Sequence, residues 1–169
     1  PKSNVIRNYD VHDGLPGNKF FKGAAARSSD GQMFFGTTEG LVAFHPDRMA
    51  DNPHVPPVVL TGFELFSKPV AIGRRESPLQ KAIHATEEIM LTHKQSVFTF
   101  QFAALNFTAP EKNRYAYRLE GFDDQWVYTG AQRRYATYTR LDPGHYTFRV
   151  KASNNDGVWN EQGASIRIT

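Results

Sequence analysis

Tyr138–Trp159 reads YTRLDPGHYTFRVKASNNDGVW, and the fold turns on this stretch. Leu141-Asp142-Pro143-Gly144 is a turn, because Pro pre-sets φ and Gly accepts positive φ. Tyr146, Phe148, Val150 and Ala152 then alternate with Thr147, Arg149, Lys151 and Ser153. That period of two predicts a strand with one buried and one solvated face. Asn154-Asn155-Asp156-Gly157 turns the chain again and Trp159 follows. Corner, strand and turn in this order are one half of a small β-sandwich.

The same pattern extends upstream. In Val97–Leu105, Phe98, Phe100 and Phe102 share one face. Tyr115, Tyr117 and Leu119 alternate with Ala116, Arg118 and Glu120, and Gly121-Phe122-Asp123-Asp124 turns into Gln125–Tyr128. Arg134–Thr139 and Ser165–Ile168 read as further strands, as do Val58–Phe66 and Glu88–Leu91. Ser77-Pro78 predicts a short helical turn to Ala82, with Ser77 as cap and Pro78 at the first helical position. Short strands separated by turn signals predict an all-β fold, an immunoglobulin/fibronectin-like β-sandwich over 58–169. A Tyr just after a Leu-x-Pro-Gly corner is where such sandwiches place a tyrosine corner, so the Tyr146 hydroxyl is expected to bond back to upstream backbone. Residues 51–57, DNPHVPP, read as a Pro-rich linker. Residues 1–50 read as a short antiparallel meander. Its strands are Ala24–Ser28, the run from Met33 after the Asp30-Gly31 turn, and Leu41–Phe44 after Gly40, with Val5–Tyr9 as a fourth. A four-stranded meander of this size is what one β-propeller blade looks like, and a lone blade cannot bury both faces.

The chain has 169 residues, 40% of them hydrophobic, including 13 Phe and 7 Tyr, enough for a sizeable aromatic core. The net charge of +3 is scattered rather than clustered, which argues against a nucleic-acid partner. Zero Cys rules out a disulfide framework and any Cys-based metal site or nucleophile. No apolar run approaches the roughly 20 residues needed to span a bilayer. The chain opens Pro-Lys-Ser without Met and reads as an excised fragment, so missing targeting signals say nothing of location.

No catalytic constellation is legible. Asp123-Asp124 are neighbours in a turn, whereas paired catalytic carboxylates converge across a cleft. Asn154–Gly157 offers oxygens suited to calcium but lacks a full EF-hand loop; a hydrogen-bonded turn is favoured. His12, His45, His54, His84, His93 and His145 are dispersed and form no metal-ligand spacing. No cofactor is expected. Phe98, Phe100, Phe102, Tyr117, Tyr146 and Phe148 read as core. Trp126 and Trp159 read either as plugs of the sandwich or as stacking faces for a sugar or partner, with structure favoured for both. Arg133, Arg134 and Arg140 form a solvated strand face, or contact a partner protomer or acidic lipid; the solvated face is favoured.

Phe100–Trp159 closely resembles the three-Y (Y_Y_Y) domain of two-component regulators. The matching pieces are Phe100–Leu105, Tyr117–Phe122, Trp126, Tyr138–Leu141, Pro143–Tyr146 and Asp156–Asn160. The signature residues are Tyr117, Gly121, Trp126, Tyr138, Pro143, Gly144, Tyr146, Gly157 and Trp159, all structural, and the naming tyrosines map to Tyr117, Tyr138 and Tyr146. Asp13–Pro16, Asp30–Thr37 and Gly40-Leu41 resemble the last regulator-propeller repeat, with Phe34 or Phe35 where such repeats often carry Trp. The resemblance implies a non-catalytic extracytoplasmic sensor and relay module of a bacterial membrane receptor, periplasmic and anchored in the inner membrane. Its output would be a histidine kinase or a diguanylate cyclase. It implies a homodimer, contact with the rest of the propeller, and a glycan-type ligand on the missing blades. The alternative is a fibronectin-like accessory or carbohydrate-binding module of a secreted enzyme.

Overall fold

Turn chemistry and strand alternation account for most of the architecture. The computed structural model describes residues 8–169, which divide after Asp51 into two compact units. In the first unit β1 (Phe20–Arg27), β2 (Met33–Thr37) and β3 (Gly40–Phe44) form an antiparallel meander in that order. Gly31 takes φ +92° in the first turn, where Ser28 Oγ bonds the Asp30 carboxylate. Phe35 stacks on Phe44 at 5.9 Å and meets Phe20 edge-on at 6.3 Å. β1 begins four residues before the expected strand; Gly23, at φ +84°, lies where its register shifts, and that bulge breaks the alternation. It is exposed along its whole length. The strand expected at Val5–Tyr9 lies largely outside the described residues, and Asn8–Asp10 are not in a strand.

The second unit contains β4 (Val58–Leu65), β5 (Lys68–Pro69), β6 (Glu88–Ile89), β7 (Val97–Ala104), β8 (Arg114–Glu120), β9 (Val127–Gly130), β10 (Tyr135–Thr139), β11 (Tyr146–Ser153) and β12 (Trp159–Ile168). They form a sandwich of two sheets, ordered β10-β7-β4-β5 and β6-β12-β11-β8-β9. Every neighbouring pair is antiparallel except β6 and β12. The alternating aromatics meet between the sheets. Phe100 stacks on Phe148 at 4.6 Å, and Phe98, Phe102, Tyr117 and Tyr138 close around that pair. Each buried ring is worth roughly 3–5 kcal/mol against Ala.

Two local expectations differ. No helix forms at Ser77–Ala82, because Ser77 Oγ donates to Ala71 O and accepts from Leu79 N, folding the segment into turns; a 3-10 turn sits instead at Ile83–Ala85. β12 starts six residues before the expected strand. Its first half, WNEQGA, has no apolar alternation and is held by pairing to β11 across a bulge. Gly163 occupies that bulge at φ +58°, where a Cβ would lie 2.0 Å from Val150 O. Residues 52–57 group with the sandwich and form a strap against it, with Pro56 fully buried. No helix among the described residues is long and apolar enough to cross a membrane.

Candidate functional site

Of the sequence-derived signature residues, Tyr117 packs in the core against Phe102 and Phe148, and the others fall at the two ends and on one outer face of the sandwich. At the end where β12 finishes, the Leu-x-Pro-Gly corner feeds β11. The Tyr146 hydroxyl donates to Asp142 O at 2.8 Å, a tyrosine corner. Its half-buried ring runs between two glycines. A Cβ on Gly144 would sit 3.5 Å from it, and one on Gly121 would sit 3.0 Å away. Gly121 also holds φ +94°, so close approach and backbone conformation both select glycine there.

The neighbouring Tyr138 belongs to the other sheet. Its hydroxyl donates to Asp123 Oδ2 at 2.8 Å, and the same oxygen accepts the Leu119 amide at 2.7 Å. Phe122 meets the Tyr138 ring edge-on at 5.9 Å. Burial, and then the Asp123 carboxylate, push the Tyr138 phenol far above its ordinary range. A β10 side chain is thereby pinned to the β8–β9 turn across the sandwich. Asp123 is structural, and the sequence reading that placed it in a turn did not foresee this partner.

At the opposite end Asn154 is fully buried and makes four hydrogen bonds. Oδ1 accepts from Asp156 N and Val158 N, both at 2.9 Å. Nδ2 donates to Asn52 O at 2.7 Å and His54 O at 2.8 Å. Asn52, Asn106, Asn113 and Asn155 continue the network. Asp156 Oδ2 accepts the Asn52 amide at 2.6 Å, and Asn160 Nδ2 donates to Pro56 O at 2.9 Å. The turn oxygens considered for calcium are thus engaged by protein donors. Among the described residues no group of three His, Cys, Asp or Glu is placed to hold a metal ion.

Trp126 and Trp159 plug nothing; both lie half-buried on the outer face of the five-stranded sheet. Arg118 Cζ and Lys151 Nζ each stand 4.9 Å from the Trp126 ring centre. Lys151 also stands 5.4 Å from Trp159, which meets Tyr128 edge-on. The layer covers Ala116, which points outward yet is fully buried. Arg118 Nε is buried without a hydrogen-bond acceptor, and the Trp126 π-cloud is its compensating neighbour. Beside them Glu120 accepts from Arg149 and Arg118, which hold its carboxyl below the usual range. Two of the protein's own cations stand over Trp126, and Lys151 alone stands over Trp159. Gly157, at φ +82°, closes the Asn154 turn. Pro143 lines a pocket of about 390 Å³ with Leu91, Phe98, Leu141 and Ile168, beside the tyrosine corner.

Residues 106–169 match the family model described as the Y_Y_Y domain. Histidine kinase P4 of Formosa agariphila is 37% identical over 164 residues, which cover 97% of this chain and 12% of that protein. Among solved structures, the extracellular domain assigned to the hybrid two component system BT3049 of B. thetaiotaomicron matches with TM-score 0.72 at 30% identity. That match covers 95% of this chain and 21% of the other. The extracellular domain of BT4673 from the same organism shares the fold, with TM-score 0.61 at 23% identity over 85% of this chain and 19% of its own. The chain thus spans about a fifth or less of each of these relatives.

Proposed function

We propose, on the premise that residues 106–169 are a Y_Y_Y domain, that the chain is a non-catalytic relay module in the extracytoplasmic sensor of a two-component receptor. Its likeness over 95% of its length to a domain described as extracellular carries this reading. On it, the meander is the end of a β-propeller, the sandwich passes the state of that propeller toward the membrane, and the relay works through a homodimer in the periplasm. The engagement of the site residues supports a structural rather than catalytic role. Asp123 is committed to Tyr138 and Leu119, and Asn154 is saturated. The strap also favours a relay, because a segment bonded to the sandwich at Asn52, His54 and Pro56 transmits displacement that a slack linker would dissipate. The carbohydrate-module alternative needs open aromatic faces, whereas Trp126 carries Arg118 and Lys151, and Lys151 also stands over Trp159.

Light scattering over a concentration series tests the reading on the 169-residue chain and on residues 52–169, whose core is self-contained. A dimer in both supports relay through the sandwich. A monomer in both, or a dimer lost with the first 51 residues, overturns it.

A further inference from the structure

We propose that the open edge of β10 receives an extended peptide segment carrying carboxylate side chains at both its ends. In the β10–β7 ladder Phe102 N bonds Arg134 O and Arg140 N bonds Ser96 O, with unbroken register between them. The antiparallel alternation therefore turns the amides and carbonyls of Tyr135, Thr137 and Thr139 away from β7. Among the described residues nothing hydrogen-bonds to those groups. β10 is the outermost strand of its sheet, five residues long, with no charge, proline or bulge to guard it. The opposite edge of that sheet, β5, is two residues long and contains Pro69.

Charge selects the occupant. Arg133 and Arg134 precede the strand, Arg140 follows it, and all three are exposed. A second copy pairing antiparallel about Thr137 would set Arg134 of one copy against Arg140 of the other, which disfavours self-association through this edge. An added strand with carboxylates six residues apart, roughly 20 Å in an extended chain, places one beside each arginine position. At the Arg134 end a pocket of about 430 Å³, lined by Thr61, Gln101, Gln132, Arg134 and Tyr135, offers donors to the terminal side chain.

The test titrates the 169-residue chain with acetyl-Glu-Val-Thr-Val-Thr-Val-Glu-amide and with its Lys-ended counterpart, at low salt, by amide NMR. The Glu-ended peptide is expected to bind about tenfold more tightly, in line with two exposed ion pairs. It should slow exchange at the Tyr135, Thr137 and Thr139 amides by at least about tenfold. The preference should reverse in the Arg134→Glu/Arg140→Glu double variant, whose exposed positions leave the core untouched. Equal binding of the two peptides, no binding at about 1 mM, or shifts elsewhere on the chain would overturn the proposal. So would protection of those amides by rising protein concentration alone, which would make the occupant a second copy.

Discussion

Replacing Asn154 by Ala removes four hydrogen bonds from one fully buried side chain. A typical bond contributes about 0.5–1.5 kcal/mol net, and a buried group left unpaired costs about 1–3. The Asp156 and Val158 amides lie inside the turn and lose their partner outright. The Asn52 and His54 carbonyls belong to a strap with exposed residues, where water replaces part of the loss. The expected cost is about 3 kcal/mol, or about 10 °C in Tm for a domain of this size. Both tryptophans of the chain lie on the sandwich, so their fluorescence in a denaturant series reports this unit alone. Asn154→Asp keeps the Oδ1 acceptor of both amides but aims a carboxylate oxygen at two carbonyls, which raises its folded pKa above the unfolded value. That contribution to stability is present below the unfolded pKa, near 3.9, and is lost as pH rises through the folded one. The Asp variant should therefore regain stability on acidification relative to Ala. A cost below about 1 kcal/mol for Asn154→Ala, with no pH difference between the variants, would refute the strap as a hydrogen-bonded element.

Tyr146→Phe deletes only the bond to Asp142 O and is expected to cost about 1 kcal/mol, read as a lower denaturant midpoint at unchanged slope. Tyr138 has its phenol raised by burial and by Asp123, so the neutral form is bound more tightly in the folded state. The stability it contributes is complete below the unfolded pKa near 10 and falls as pH climbs above it. Alkaline unfolding should thus move to higher pH in Tyr138→Phe, measured by the loss of near-ultraviolet circular dichroism; an unmoved midpoint would remove Tyr138 as its cause.

The legible features were local or periodic. Phe98, Phe100, Phe102 and Phe148 announced their inner face through a period of two, which the pleat imposes on any half-buried strand. The tyrosine corner was readable because its donor and acceptor lie four residues apart. The asparagine clamp was not, because Asn154 and its strap acceptors are separated by 100 residues or more, and a polar side chain in a turn looks alike whether it faces water or backbone. Asp123 was hidden likewise, its Tyr138 partner lying on the opposite sheet. Trp126 and Trp159 misled for another reason. Indoles favour burial, and only the placement of Arg118 and Lys151 on adjacent strands reveals that the outer face supplies it. The first half of β12 left no trace, since its pairing comes from β11 rather than its own pattern.

These bonds distribute stiffness unevenly, and that bears on how a relay would work. The middle of the sandwich is a stack of interlocked rings, from Phe63 through Phe98, Phe100 and Phe148 to Tyr138, packed with centres 4.6–6.2 Å apart. A close-packed interior of this kind repacks only at a cost of several kcal/mol, so it favours motion as a body over internal shear. At the strap end a displacement would arrive through backbone carbonyls held by one saturated amide. At the other end Asp123 ties β10 to the β8–β9 turn, and Tyr146 ties the β10–β11 corner to β11. On the proposed relay, a pull on the strap would reach the far end as movement of the whole sandwich. The surfaces able to read such a movement would be those outside the bonded network, and the open β10 edge with its three arginines is one of them.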